Sequence, residues 1–202
     1  LMPSIISTFL SFALSINMLM AKHGGKGKIA LPLSVSGVAE KIGAEYGRKI
    51  MRTKMSTQAI MRAANRRDVM FAGDQNGGYI FPKFLPAYDS AMSLGQLLEL
   101  LAKEGRPLSR IRQSLAEPAL FDKSIYCPWD QKGLVMRMLI ERAKDKNVEM
   151  IDGIKIFEDD GWVLIIPDQD RPIFQIYAEA EKITSAEAKV DDIIHFIKSI
   201  VT

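Results

Sequence analysis

Cysteine and histidine are almost absent from this 202-residue chain. One cysteine, Cys127, allows neither a disulfide within the chain nor a cysteine-built zinc cluster. The two histidines, His23 and His195, stand far apart, and His195 falls in a helical pattern that suits a surface or boundary residue better than a ligand. Strong charge of either sign is missing too. A net charge of +3 is too small to argue for nucleic acid, and the basic residues are dispersed. Their one cluster, Arg62, Arg66 and Arg67, has the spacing of a solvated helix face. No internal repeat or low-complexity segment stands out. What remains, 48% hydrophobic and 25% charged residues, is ordinary for a soluble protein with one large or two small cores.

Only residues 1–20, "LMPSIISTFLSFALSINMLM", have the length and polarity of a membrane span or signal-peptide core. Pro3, Ser4, Ser7, Thr8, Ser11, Ser15 and Asn17 interrupt that run, and no basic residue precedes it. A buried helix is the preferred reading, with no membrane contact and a cytoplasmic location. The leading Leu then marks the chain as a piece of something longer.

Strands and helices alternate in the first part. "KIALPLS" (28–34) reads as a strand, and Ser36 can cap a helix that Gly47 ends. A short strand at 48–53, a helix at 56–67 and a strand at 69–73 follow, the last running into the loop "DQNGG" (74–78). Ser90 opens a helix with Leu94, Leu97, Leu98 and Leu101 on one expected core face, stopped by Gly105. This order predicts a parallel sheet with helices on its faces. After about Ala116 the pattern changes. A strand at 124–129, a helix capped by Asp130, three strands (149–158, 161–167, 172–180) and a last helix opened by a Thr184–Glu187 capping box make a βαβββα unit. The fold class is therefore α/β: a parallel α/β sandwich domain at 1–115, then an α+β domain at 116–202, with the boundary near 106–122. Trp129 and Trp162 are expected in the second core, and Cys127 is expected to be buried rather than reactive.

"AGDQNGGYIFPKFLPAYDS" resembles the sugar-binding loop of the α-D-phosphohexomutases (phosphoglucomutase, phosphomannomutase and phosphoglucosamine mutase), usually Gly-Gly-Glu-x-Ser-Gly-His before Ile-Phe-Pro. "RKIMRTKMS" resembles the family's Arg-Thr-x-Val-Gly segment. "DGIKIFEDDGWVLIIPDQDRPIFQIYAEAE" resembles its last domain, whose phosphate loop reads Arg-Pro-Ser-Gly-Thr. The resemblance runs from about residue 25 to the end and implies the third and fourth domains of a four-domain protein. "AGDQNGGYIFP", "YCPWDQKGLVMRML" and "LIIPDQDRP" look closer still to the mutase-like half of fused proteins that begin with a nucleotidyltransferase of the mannose-1-phosphate guanylyltransferase kind.

Such a mutase needs a phosphoserine loop, an Asp-rich Mg²⁺ loop, a sugar clamp and a phosphate cradle. The first two have no counterpart here, so no catalytic residue, metal ligand or cofactor is assigned to this chain. Mg²⁺ would belong to the parent protein if that is an active mutase or nucleotidyltransferase. In the clamp, Asp74 and Asn76 stand where the family has Glu and Ser, and Gly78 stands where it has His. Asp74, Gln75 and Asn76 remain candidate sugar contacts, or merely a glycine-rich turn. In the cradle, Ile166, Pro167, Asp168, Gln169 and Asp170 replace Arg-Pro-Ser-Gly-Thr, with Arg171 following. The cation and both hydroxyls are gone, and two carboxylates would repel a phosphate dianion by a few kcal/mol each at an effective dielectric constant of about 20. Ile166, Asp168, Gln169, Asp170 and Arg171 thus read as a degenerate phosphate loop, with a metal site from Asp168, Asp170 and Asp74 as the sharper alternative. The resemblance implies a regulatory or assembly module beside a sugar-1-phosphate nucleotidyltransferase, or else the C-terminal half of an active mutase. Partners would be a hexose phosphate or nucleotide sugar, the upstream domains of the parent chain, and a second copy.

Overall fold

A computed structural model describes residues 5–201. The chain separates into two compact units, Leu1–Glu117 and Pro118–Thr202.

In the first unit, α1 (Ile5–His23) leads into β1 (Lys28–Pro32), α2 (Val38–Glu45), β2 (Ile50–Thr53), α3 (Thr57–Ala64), β3 (Val69–Gly73), β4 (Tyr79–Ile80), α4 (Ser90–Glu104) and α5 (Leu108–Ser114). The sheet runs β2-β1-β3-β4, parallel except for β4. The chain leaves β1 through α2 to β2, then crosses back through α3 to β3 on the other side of β1. The loops after β1 and β3 therefore run in opposite directions, and in such sheets the crevice between them is where ligands bind. Ala30, Val69, Ala72 and Ile80 of the sheet pack with Ile60, Ala63 and Ala64 of α3. Ser56 caps α3 by accepting the Ala59 N–H.

The expected helix at 1–20 is α1, apart from residues 1–4, which lie outside the described residues. Residues 13–21 are buried without a break, Ser15 and Asn17 included. Burial of nine consecutive residues leaves no solvated face along that stretch, and α1 lies among α2, α4 and α5. Among the described residues no helix is long and apolar enough to cross a membrane.

Several local expectations need correction. Ser36 sits one residue before the assigned cap, Gly37, and its hydroxyl accepts the Val38 N–H. Asp89, not Ser90, caps α4 by accepting the Met92 N–H at 2.6 Å. The leucine face of α4 is not the core face: Leu94 and Leu98 are each 59% exposed, and Leu97 and Leu101 are only half-buried. The buried side runs through Leu100 and Glu104, one turn apart, because the Glu104 carboxylate is only 1% exposed and is gripped by His23 (2.7 Å), Lys22 (2.9 Å) and Arg106. These three partners outweigh the leucine stripe in choosing the inner face. Residues 106–122 hold a helix, α5, with Ile111 fully buried.

The second unit contains β5 (Ala119–Tyr126), α6 (Lys132–Arg142), β6 (Asn147–Glu149), β7 (Ile154–Glu158), β8 (Gly161–Pro167), β9 (Ile173–Ala180) and α7 (Ile183–Ile200). Its sheet, β5-β9-β8-β7-β6, is antiparallel throughout. Val135 and Leu139 of α6 and Val190, Ile193 and Ile197 of α7 bury one face of it around Ile165, Phe174 and Ile176. The unit is βαββββα, with one strand more than the sequence predicts. The expected strand 149–158 breaks into β6 and β7, which pair as a hairpin across Gly153 (φ 69°). A Cβ there would come within 2.1 Å of the Ile165 carbonyl oxygen, so glycine is required. The strand expected at 124–129 begins at Ala119, because β9 offers partners along its full length, and it ends before Pro128. Neither the Asp130 cap nor the Thr184–Glu187 box forms: α6 starts from Gln131 and α7 from Lys182, without side-chain caps.

Candidate functional site

The carboxyl end of β3 carries the first candidate loop. Gly73 delivers Asp74 to the crevice, and the loop closes on itself when the Asp74 N–H donates to the Gly78 carbonyl at 2.9 Å. Asp74 Oδ1 accepts the N–H groups of Asn76 (2.7 Å) and Gly78 (3.1 Å), and the Tyr88 hydroxyl donates to Oδ2 at 3.2 Å. The carboxylate is thus turned into its own loop, the local bonding for which Asp is favoured in turns. Burial, the Asp74 charge and that hydrogen bond all push the Tyr88 phenol upward from its ordinary value.

Gly78 explains why Tyr88 can sit there. A Cβ at position 78 would lie 2.5 Å from Tyr88 Cε1 and 2.8 Å from Asp74 Oδ2. The tyrosine ring fills the space through which a larger side chain would enter. Gly77 needs its left-handed backbone (φ 94°) to turn the loop. Asn76 is exposed, whereas Gln75 is buried and its Oε1 has no hydrogen-bond partner among the described residues. The Tyr79 hydroxyl is equally orphaned. Beside the loop lies a groove of about 320 Å³, bordered by Gly77, Gly78, Tyr79, Tyr88, Ser93 and Leu97.

Arg52, the arginine of the Arg-Thr pair in β2, serves the neighbouring loop after β1. It forks onto Glu40 (2.7 and 2.6 Å) and donates to the carbonyls of Pro32, Val35 and Ser36. Every guanidinium nitrogen is engaged in holding that loop, which leaves it a positioning group.

The second candidate loop joins β8 to β9. Ile166 is not part of the turn; it is a buried residue of β8. The Asp168 N–H donates to the Ile173 carbonyl at 3.0 Å and extends the ladder by one rung. Asp168 Oδ1 accepts the N–H groups of Asp170 (3.0 Å) and Arg171 (2.9 Å). Its Oδ2 accepts Nε and Nη2 of Arg171 (3.1 and 2.7 Å) and the Gln175 amide (2.7 Å). The side chain is 8% exposed. Burial alone would raise its carboxyl, but Arg171, the Asp170 N–H and Gln175 together hold it down at about 2. Gln169 and Asp170 point into solvent. Asp168 and Asp170 are therefore not a matched pair: one is the hub of the turn and the other is an exposed bystander. Among the described residues no group of three or more His, Cys, Asp or Glu could hold a metal ion.

Three contributors to these loops were not legible in the sequence. Tyr88 follows two prolines and reads as extended chain. Gln175 lies on β9, beyond the turn. Lys132 opens α6, yet it is buried, and its ammonium donates to the carbonyls of Asp168 and of Arg171 (2.5 Å) while sitting 3.8 Å above the Trp129 ring. Trp129 is consequently 54% exposed rather than a core anchor. Trp162 is buried as expected, its indole N–H donating to Glu179 at 2.8 Å. Cys127 is fully buried, and desolvation raises its thiol.

A family model described as phosphoglucomutase/phosphomannomutase, alpha/beta/alpha domain III matches residues 11–119. The chain belongs to that family. A phosphoglucomutase/phosphomannomutase of Thermococcus kodakarensis is 31% identical over 172 residues, covering 85% of this chain and 38% of the relative. A phosphoglucosamine mutase of Methanococcus aeolicus is 27% identical over 183 residues, covering 89% of this chain and 40% of the relative. The chain thus spans about two fifths of the length of these relatives. Among solved structures, a phosphoglucomutase/phosphomannomutase family protein from Burkholderia thailandensis superposes with a TM-score of 0.75 at 18% identity, over 93% of this chain and 40% of that one. The N-acetylphosphoglucosamine mutase of Aspergillus fumigatus, in complex with GlcNAc-6P and magnesium, gives 0.64 at 14% identity, over 98% and 43%. At those identities the likeness speaks for the fold, and it reaches the second unit as well as the first.

Proposed function

We propose that this chain is a sugar-phosphate-handling module of the phosphohexomutase type that performs no phosphoryl transfer of its own. One observation carries this: at Gly78 the Tyr88 ring fills the entry space and takes up Asp74 Oδ2. The loop then presents hydrogen-bonding groups to a hexose but no free acid or base. Asn76, at the exposed tip, and Gln75, with its unpaired oxygen, are the groups suited to sugar hydroxyls.

Purified chain incubated with glucosamine, glucose or mannose 1-phosphate and Mg²⁺ should yield no 6-phosphate above a boiled control; turnover would sink the proposal. Saturation-transfer NMR should show hexose 6-phosphate contacts that weaken in Asn76→Ala.

A second reading, the C-terminal half of an active mutase, is favoured by the names of the longer relatives. Its serine and Mg²⁺ loops would come from the remaining three fifths of such a protein. Co-expression with the N-terminal portion of a mutase-family relative would then restore turnover. The finer association with a sugar-1-phosphate nucleotidyltransferase rests on the three quoted segments alone. It predicts that the chain alters the activity of a mannose-1-phosphate guanylyltransferase, and an unchanged rate on mixing would count against it.

A further inference from the structure

We infer that the amino end of the first sheet is a docking face for an acidic phospholipid surface. Because β1, β2 and β3 are parallel, the residues just before them gather at one end. The Ile29 N–H donates to the Lys49 carbonyl and the Lys28 N–H to the Asp68 carbonyl, which sets the residues ahead of β2, β1 and β3 in one row. Strand β4 runs back beside β3 and returns residues 82–85 to the same end. There a Cβ on Gly25 would lie 3.7 Å from the Lys83 ammonium. Cations dispersed along the sequence are thereby assembled on one face.

Lys28 and Arg66 share Asp68 at 2.8 and 3.0 Å. Lys26, Lys49, Arg67 and Lys83 are exposed and have no carboxylate partner among the described residues. Glu45, at the end of α2, offsets one of the four. Beside them stands an apolar tip. The N–H groups of Phe84 and Leu85 both donate to the Phe81 carbonyl, at 2.9 and 3.0 Å, and Pro82 and Pro86 bracket the turn. Phe84, 59% exposed, is therefore held outward with Leu85 next to it. Unpaired cations beside a protruding phenylalanine and leucine match an acidic bilayer: headgroups meet the cations, and the apolar tip enters the headgroup–acyl boundary. Single-stranded nucleic acid would also meet the charge, but it asks for several aromatic rings in succession. Phe84 is the one exposed aromatic side chain among the described residues of this unit. A peripheral contact needs no spanning helix, so the absence of membrane contact expected from residues 1–20 does not extend to this face. The face lies at the other end of β3 from the Asp74–Gly78 loop, and it stands or falls separately from the proposed function.

The test is cosedimentation of the full chain, at low salt, with vesicles of equal parts phosphatidylcholine and phosphatidylserine and with vesicles of phosphatidylcholine alone. The chain should sediment with the acidic vesicles only, and binding should fall as salt rises. Lys49→Gln and Lys83→Gln should each weaken binding by about fivefold and make its salt dependence shallower. Phe84→Ser should weaken it without changing the salt dependence. Lys54→Gln, an exposed position at the carboxyl end of β2, should leave it unchanged. Three results would overturn the inference: no binding to the acidic vesicles, equal binding to the neutral ones, or a loss in Lys54→Gln as large as in Lys49→Gln, which would reduce the effect to net charge. Tighter binding of a single-stranded oligonucleotide through the same lysines would assign the face to nucleic acid and overturn it as well.

Discussion

Lys132→Met tests whether a buried ammonium, rather than turn propensity, holds the β8–β9 connection. The substitution keeps the unbranched stem and removes the charge. Two charge-assisted hydrogen bonds are lost, to the carbonyls of Asp168 and Arg171, each contributing about 1.5–3 kcal/mol where water cannot replace it. The contact with the Trp129 face adds about 0.5–1 kcal/mol at an exposed ring. Against this, residues 169–171 are exposed, so water can take up part of the carbonyl bonding, and Met no longer bears the cost of desolvating an ammonium. The net expectation is a loss of about 2 kcal/mol. Both tryptophans, Trp129 and Trp162, lie in the second unit, so fluorescence during urea unfolding follows that unit alone. The midpoint should fall at unchanged slope. Trp129→Leu alone should cost under about 1 kcal/mol, and the double variant should show coupling between the two sites. A change below about 0.5 kcal/mol in Lys132→Met would refute the role assigned to the ammonium.

Two other outcomes follow from the same geometry. Asp168 and Glu104 are both held near 2, against ordinary values of 3.8 and 4.5; depressed carboxyls give stability that is full above the ordinary value and lost as pH falls through the folded one. Thermal stability should therefore drop between about pH 4.5 and 2, and Asp168→Asn with Glu104→Gln should flatten that slope; an unchanged slope refutes the assignment. In Gly78→Ala the new methyl must displace Tyr88 from Asp74, at a cost of about 1–3 kcal/mol as an overpacked contact. Circular dichroism should register the loss in the first unit while the tryptophan transition stays put, and an unchanged melting curve would show that Tyr88 yields freely.

How much the sequence revealed depended on how local each determinant was. Strand β3 formed where it was expected, at 69–73, and the helix expected at 56–67 is α3, which ends earlier, at Ala64. The outward turn of Leu94 and Leu98 did not follow, because the inner face of α4 is set by Glu104 meeting His23 and Lys22, some eighty residues earlier in the chain. The β6–β7 break hinged on Asp152-Gly153, a turn dipeptide that the sequence does carry; the close approach of Gly153 to Ile165, which makes the glycine obligatory, is a contact across the sheet. The loop residues themselves were visible at 74–76 and 168–171. Their partners Tyr88, Lys132 and Gln175 were not, since each arrives from another element. The carboxylates at 168 and 170 read as a repelling pair, whereas the fold gives one of them five donors and leaves the other in solvent.

The two loops share a device and differ in its strength. In each, an Asp just past a strand takes two backbone N–H groups of its own turn and one or more side-chain donors. At Asp74 the added partner is a single neutral phenol at 3.2 Å, and an exchange of such a bond for a sugar hydroxyl is close to neutral, within about 1 kcal/mol. Moving the half-buried Tyr88 ring costs more than that one bond, so the phenol stays on Asp74 and Asn76 is the exposed group of the loop. At Asp168 the added partners are a guanidinium fork and an amide on a group that is 8% exposed. Displacing it would strand a carboxylate among groups shaped to hold it, a loss of several kcal/mol. The second loop is therefore the more tightly closed of the two, because a guanidinium fork and an amide hold its carboxylate where the first has one phenol.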